Sequence, residues 1–150
     1  MTRLIAFDLS LRATGFCDPD GHAETFKPPA KLDEAARLEW WRQCFVVLRE
    51  QHQPTCVAVE DSFIRHPKAS KILQRQVGVF LAAFAGIPIV WMPAASLKLA
   101  WTGKGNASKD EMAATTALRL DDDDVLWLDD DAIDALALWH VVTAMGDTAA

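Results

Sequence analysis

The segment Asp131-Ala-Ile-Asp-Ala-Leu-Ala-Leu-Trp-His140 carries the strongest pattern in the sequence. It places two acids, Asp131 and Asp134, at the start of an apolar segment that is predicted to be a helix. Residues three positions apart on a helix point to nearly the same side, so both carboxylates share one edge. Two acids on a buried edge need a counter-charge, and a divalent cation with oxygen ligands can supply it. The alternative is that both acids only complement the helix dipole.

Size and composition indicate one folded domain that spans residues 1–150. The chain has 150 residues, of which 51% are hydrophobic, which is enough for a core of ordinary size. No apolar run reaches membrane-spanning length, and the N-terminus lacks a signal-peptide pattern. Three cysteines without CxxC spacing argue against a disulfide framework. We therefore expect a reduced protein of the cytoplasm with no membrane partner.

Charge is distributed unevenly along the chain. The net charge of −6 weighs against a general attraction to nucleic acid. Residues 65–75 nevertheless contain four cations and no acid, which predicts either a phosphate-contacting track or a solvated helix face. Residues 121–124 are all aspartate, and this run predicts a solvated loop that ends the preceding helix.

Apolar runs and amphipathic segments give the order of elements. The predicted strands are residues 4–8, a turn and strand within 9–17, then 22–26, 56–60 and 87–91. The predicted helices are residues 31–51, 69–85, 94–101, 109–120 and 131–144, the fourth of which begins with a capping box at Ser108 and Glu111. Strands come first and then alternate with helices. This order predicts an α/β fold with a mixed central sheet flanked by helices.

Two of the predicted buried strands end in an acid, Asp8 and Glu60. If these strands are parallel neighbours, their carboxyl ends lie side by side, where ligand sites of open α/β sheets form. The helix that begins at Asp131 can lie against the same edge, which would bring four carboxylates together. Such a group repels itself unless cations lie between its members. Oxygen ligands suit Mg²⁺ or Mn²⁺, and a pair of these ions about 4 Å apart is the usual device for phosphodiester cleavage.

Several segments together resemble one known family, the RuvC-type Holliday junction resolvases. They are Phe7-Asp8, Arg12-Ala-Thr-Gly-Phe16, Val59-Glu60 with Phe63, and Asp131-Ala-Ile-Asp-Ala-Leu-Ala137. The resemblance implies a ribonuclease H-like fold and a metal-dependent, structure-selective endonuclease that cuts four-way (Holliday) junctions or related branched DNA. It implies that Asp8, Glu60, Asp131 and Asp134 are the catalytic residues and the ligands of two Mg²⁺ or Mn²⁺ ions. It also implies a homodimer in the cytoplasm of a bacterium or of a phage-infected host, the latter for a diverged phage-type member.

The predicted DNA-binding residues come from the same resemblance and from the basic stretch. They are Arg12, Phe63, Arg65, Lys68, Lys71, Arg75, Lys104 and Lys109. The resemblance places Lys104 and Lys109 in a basic segment that contacts the DNA backbone near the cleavage site. Phe63 is either an aromatic wedge at the junction point or an anchor that packs the loop on the core.

Three other functions remain open at this level. A ribonuclease H-fold nuclease that acts on flaps, forks or RNA would use the same phosphate and metal chemistry. Asp8 followed by Thr14-Gly15 is also similar to the first phosphate-binding strand of actin- or sugar-kinase-like ATP-binding domains, which need a second domain. A non-catalytic junction-binding module would not require all four acids.

Overall fold

The computed structural model describes residues 1–10, 12–61 and 67–149, without the side chains of residues 67–69 and 147–149. The strands are β1 (Leu4–Leu9), β2 (Thr14–Cys17), β3 (Ala23–Phe26), β4 (Cys56–Asp61) and β5 (Ile89–Pro93). The helices are α1 (Glu34–His52), α2 (Pro67–Ala83), α3 (Ala94–Thr102), α4 (Lys109–Leu120), a 3₁₀ helix (Asp123–Trp127) and α5 (Asp130–Ala149). Within the described residues, no helix combines the length and apolar character that a membrane span requires.

The five strands form one mixed sheet in the order β3-β2-β1-β4-β5. Strands β1, β4 and β5 are parallel, while β2 and β3 join the sheet as an antiparallel hairpin beside β1. The prediction of a mixed sheet flanked by helices is confirmed. Because β1 and β4 are parallel neighbours, their carboxyl ends meet at one edge, as the strand-end acids predicted.

Alternation along β1 separates two apolar layers. Ile5 and Phe7 pack with the aromatic side chains of α1 and α2, among them Phe45 and Phe80. Ala6 packs on the other face, in the layer formed with α3, α4 and α5. Successive strand residues point to opposite faces, so Asp8 shares the face of Ala6. The alternation of side chains along β1 therefore points the Asp8 carboxyl toward α5.

Helix α1 departs from its predicted bounds. It begins after the N-cap residue Asp33, three positions later than the periodicity indicated. Its fully buried residues are Trp41, Phe45 and Leu48, whereas Val47 is exposed. Apolar residues occur on two adjacent faces of this helix, and packing against α2 selects the face that includes Trp41.

The acidic run is more ordered than a solvated loop. The 3₁₀ helix begins within it, and the Asp122 carboxylate accepts a hydrogen bond from the Asp124 amide at 2.9 Å. Val125 is buried and anchors this segment to the core. The capping box at the start of α4 is confirmed, since Ser108 and Glu111 accept each other's backbone N–H.

Candidate active site

Three of the four predicted acids converge at the carboxyl edge of the parallel strands. Asp8 lies near the end of β1, Glu60 near the end of β4 and Asp134 in the second turn of α5. One carboxylate oxygen from each lies within 4.8 Å of the others, a separation that allows a shared metal ion. Asp8 and Glu60 are buried, and Asp134 is half-buried. Residues from opposite ends of the chain thus form one acidic group.

Strand register explains why the first two acids meet. Ala6 of β1 pairs with Ala58 of β4, so Asp8 and Glu60, each two residues further on, follow the same register and point to the same face. Both side chains therefore lie on the face of the sheet that packs against α5. A one-residue shift between these strands would place the two acids on opposite faces.

The close approach of α5 depends on Gly15. This glycine pairs with Asp8 between β2 and β1, and its backbone lies against the start of α5. A Cβ added to Gly15 would lie 1.8 Å from the carbonyl oxygen of Asp131, too close for any side chain. This close backbone contact brings the first turns of α5 to the strand-end acids.

Asp131 occupies a more external position than the other three acids. Its carboxyl hydrogen-bonds the carboxyl of Asp8, and it is only half-buried. It is not part of the group whose ligand atoms lie within 4.8 Å of one another. The four predicted acids are therefore neighbours, with three at the centre and Asp131 at the rim.

The acids of this group titrate abnormally. Burial raises the pKa of Asp8 well above its ordinary value, and the charges of Glu60, Asp134 and Asp131 raise it further. Burial also raises the pKa of Asp134, to about 7, with a further contribution from Glu60. The pKa values of Glu60 and Asp131 are raised chiefly by burial, although the hydrogen bond of each with Asp8 opposes the shift. Burial therefore makes all four acids harder to ionise than free carboxylic acids.

The donor set fits a hard divalent cation. Its central ligands are carboxylate oxygens, the ligands that Mg²⁺ and Mn²⁺ prefer. The Oε2 atom of Glu60 is buried and has no hydrogen-bond partner among the described residues. A buried carboxylate oxygen without a donor is costly, and a bound cation removes that cost. Asp8, Glu60 and Asp134 could therefore hold such an ion, with Asp131 close enough to support it.

Two lysines line the small cavity beside these acids, and the sequence patterns identified only one of them. The cavity lies between Glu60, Asp134, Lys98 and Lys109. The charge of Lys98, on α3, lowers the pKa values of Glu60 and Asp134 and so opposes the effect of burial. The missed signal was that Lys98 lies in the helix directly after β5, at the same edge of the sheet.

Known proteins similar to this chain are Holliday junction nucleases. The RuvC crossover junction endodeoxyribonuclease of Paraburkholderia phymatum is 30% identical in an alignment of 120 residues that covers 73% of this chain and 67% of that protein. The chain belongs to the RuvC family. The enzyme of the same name from Streptomyces avermitilis is 34% identical in an alignment of 117 residues that covers 75% of this chain and 65% of that protein. No protein-family model matches the sequence.

The fold of this RuvC-family chain matches a solved RuvC structure. Thermus thermophilus RuvC superimposes with a TM-score of 0.72 over 97% of both chains, at 22% identity. The same protein has also been solved in complex with a Holliday junction substrate, with a TM-score of 0.72 and 20% identity. This likeness confirms the predicted ribonuclease H-like fold. Family membership agrees with the predicted resemblance and leaves the kinase-like alternative without support.

The predicted DNA-binding residues of this RuvC-family chain lie in different environments. Lys109 lines the active-site cavity and pairs with Asp130 at 3.3 Å, and Lys104 pairs with Glu111 at 3.1 Å. Arg75 forms an ion pair with Glu34 of α1. Arg12 and Lys71 are exposed. Phe63, Arg65 and the side chain of Lys68 lie outside the described residues, so their predicted contacts stay predictions.

His140 is not part of the acidic group. Its ring stacks on that of Trp101, with 5.6 Å between ring centroids, and contacts Trp139 edge-on. Trp101 is buried and donates a hydrogen bond from its indole nitrogen to Thr116. These contacts give both residues a structural role in the packing of α3, α4 and α5.

Proposed function

We propose that this RuvC-family chain is a structure-selective DNA endonuclease that hydrolyses phosphodiester bonds in four-way junctions or related branched DNA. The observation that carries the proposal is the group formed by Asp8, Glu60 and Asp134, whose ligand atoms lie within 4.8 Å of one another. Its position at the carboxyl edge of parallel strands is where α/β folds bind ligands. The names of the relatives, crossover junction endodeoxyribonucleases, supply the substrate class.

The acidic group is proposed to hold the catalytic metal. Asp8, Glu60 and Asp134 would be its ligands, and Asp131 would complete the set of four acids from the rim. When bound, two Mg²⁺ or Mn²⁺ ions would activate the attacking water and stabilise charge on the leaving oxygen. The chain itself contributes a buried, preorganised set of oxygen ligands, since Asp8 and Glu60 are buried near the ends of adjacent central strands.

Lysines at the cavity provide the positive charge that the DNA backbone requires. Lys98 and Lys109 both line the cavity next to Glu60 and Asp134. We propose that they bind the phosphates on either side of the cleaved bond, because ammonium groups attract phosphate oxygens. Lys98 has a second effect, since its charge favours the ionised state in which Glu60 and Asp134 can ligate a cation.

Two copies of the chain are proposed to act on each junction. We propose that residues 1–150 form one nuclease domain, and the described part of that domain contains a single buried carboxylate group of this kind. Cutting two strands of one junction in a concerted way then requires two protomers, which suits the two-fold symmetry of a four-way junction.

A cleavage assay with mapped products tests this proposal. Matched four-way junction, fork, flap and RNA substrates, labelled on each strand in turn, are incubated with Mg²⁺ or with EDTA. We expect paired, symmetric nicks with 5′-phosphate ends in the junction, in the presence of Mg²⁺ only. Asp134→Asn should bind the junction in a gel-shift assay and leave it uncut. Full cleavage by Asp134→Asn would exclude the ligand assignment, and a preference for flaps or RNA would favour the alternative nuclease function.

A further inference from the structure

An exposed surface with both apolar and acidic residues lies where α4 connects to α5. We call it the acidic–apolar surface, and it consists of Leu118, Asp121–Asp124, Leu126 and Trp127. Trp127 is 88% exposed and Leu118 is 83% exposed, more than any other large apolar side chain of the described residues except Met1. A fully exposed tryptophan is unusual on a monomer surface, because indole is among the side chains that gain most from burial.

The segment that carries this surface is fixed to the domain. The Asp122 amide donates to the carbonyl of Ala117 at 3.1 Å, and the Asp122 carboxylate accepts from the Asp124 amide. Val125 lies between Asp124 and Trp127 in the sequence, and its side chain is buried. The exposed side chains are therefore presented by an anchored turn and helix end, which is a geometry suited to recognition.

The four aspartates of the surface have no basic partner within the described part of the chain. The neighbouring acids Asp129 and Asp130 pair with Lys27 and Lys109 at 3.2 and 3.3 Å. No such ion pair involves Asp121–Asp124 among the described residues. Arg119, the nearest cation in sequence, lies over the Trp101 ring at 4.5 Å. The negative charge of this surface is therefore unneutralised and adds to the negative end of the α4 dipole.

Charge decides which kind of partner fits the surface. DNA is repelled because its phosphates carry the same sign as Asp121–Asp124. A second copy that met this surface through the same face is disfavoured as well, since its own Asp121–Asp124 would lie against these like charges. A single cation is not held either, because no three of these aspartates belong to a described group with ligand atoms within 4.8 Å of one another. A basic protein segment with an apolar face matches both features of the surface.

We propose that the acidic–apolar surface docks a basic, amphipathic helical segment of another protein. Lysine or arginine side chains of that segment lie opposite Asp121–Asp124, and its apolar side chains pack on Leu126 and Trp127. Exposed tryptophans are common anchors of such interfaces, and acidic residues around them give specificity and fast association. The proposal does not depend on the nuclease function, because none of these residues belongs to the metal group.

Titration calorimetry with a defined peptide tests the docking site. The probe is an amphipathic peptide of about 14 leucine and lysine residues with leucine at helical spacing. A scrambled peptide of the same composition and a lysine–serine peptide of equal charge are the comparison ligands. We expect the amphipathic peptide to bind the full chain in a 1:1 ratio and more tightly than either comparison peptide, with affinity that falls as salt rises.

Matched variants locate the binding. Trp127→Ala, and separately Asp123→Asn with Asp124→Asn, should each weaken binding about tenfold. Trp91→Ala and the pair Asp20→Asn with Glu50→Gln, which change an exposed tryptophan and two exposed acids elsewhere, should have no effect. The surface variants should keep the wild-type melting temperature, because the side chains of Asp123, Asp124 and Trp127 are exposed.

Three results would overturn the proposal. The first is equal peptide binding by the surface variants and the wild type. The second is self-association of the wild type that Trp127→Ala abolishes in sedimentation, which would identify a second copy as the occupant. The third is a loss of junction binding in Trp127→Ala, which would make the surface a DNA contact.

Discussion

The carbonyl oxygen of Asp131 lies against the α-carbon of Gly15, where no side chain would fit. A Cβ on Gly15 would lie 1.8 Å from that oxygen and 2.3 Å from the carbonyl carbon. Gly15 is also the partner of Asp8 in the antiparallel pairing of β1 with β2. One backbone contact therefore sets the distance between the start of α5 and the acid of β1. The separation of the carboxylates depends on it.

Gly15→Ala should displace the start of α5 and impair the metal group. Overpacking of a buried contact costs about 1–3 kcal/mol, and we expect a loss of unfolding free energy in this range. Mg²⁺-dependent cleavage should fall more than junction binding, because the carboxylate positions change while the exposed lysines remain. Urea unfolding and cleavage rates measure the two effects.

Gly78→Ala is the control for this substitution. Gly78 lies within α2, and an added Cβ there meets no atom within 4 Å. Alanine is the better helix former by about 1 kcal/mol, so this variant should be as stable as the wild type or more stable. Wild-type stability and cleavage in Gly15→Ala would show that α5 does not need the close contact.

Asp134→Asn should stabilise the metal-free protein at alkaline pH. Burial raises the pKa of Asp134 to about 7, so the folded state holds its proton more tightly than the unfolded chain does. The stability from this group is fully present below its ordinary pKa of 3.8 and is lost as pH rises through about 7. In EDTA at pH 8 the neutral amide should therefore raise the Tm above that of the wild type. The expected rise is about 2–4 °C for each kcal/mol by which the amide lowers the free-energy cost of burying an ionised carboxylate.

Mg²⁺ should reverse the order of the Tm values of the wild type and Asp134→Asn. The cation binds the ionised carboxylates, so it should raise the Tm of the wild type at pH 8 and have little effect on Asp134→Asn. At pH 5 the two proteins should differ less, because Asp134 is then protonated in the folded wild type. Equal Tm shifts with Mg²⁺ in both proteins would show that the ion binds elsewhere.

Lys98→Gln should lower turnover and shift its pH dependence. The charge of Lys98 lowers the pKa values of Glu60 and Asp134, so its removal raises both and moves the ionisation of the group to higher pH. We expect a loss of about 10²-fold in kcat, typical of removing one electrostatic group from an active site. A pH–rate profile of the junction cleavage measures the shift. Lys31→Gln, an exposed lysine before α1, should leave the profile unchanged.

Lys109→Ala should weaken junction binding and reduce its salt dependence. One fewer phosphate contact makes the negative slope of log K against log salt shallower by about 1. Lys27→Ala is a matched control, because Lys27 pairs with Asp129 at 3.2 Å as Lys109 pairs with Asp130 at 3.3 Å, yet it does not line the cavity. Fluorescence anisotropy over a salt series measures both slopes. Equal slopes for the two variants would remove Lys109 from the proposed DNA contact.

Local patterns predicted the framework of the candidate site correctly. Apolar runs that end in Asp8 and Glu60 indicated buried strands, and the spacing of Asp131 and Asp134 indicated a helix start. Alternation with period two then directed both strand acids to the same face. The capping box at Ser108 likewise gave the start of α4, because a cap is formed by residues close in sequence.

Long-range contacts were not predictable in the same way. The ion pair of Arg75 with Glu34 joins α2 to α1 and removes one cation from the predicted basic track. Lys98 reaches the acids only because α3 packs beside the end of β4. The 3₁₀ helix forms where Val125 is buried, although its sequence is dominated by acids. Each of these features depends on how separate elements pack.

By itself, the sequence determined which residues could serve as ligands and toward which side of each element they point, since alternation and helical spacing are local properties. Only the tertiary structure decided that Asp8, Glu60 and Asp134 form the centre while Asp131 lies at the rim. The physical reason is that distances between elements are set by backbone packing, here by the contact of α5 with Gly15. Patterns along one chain segment carry no information about such a distance.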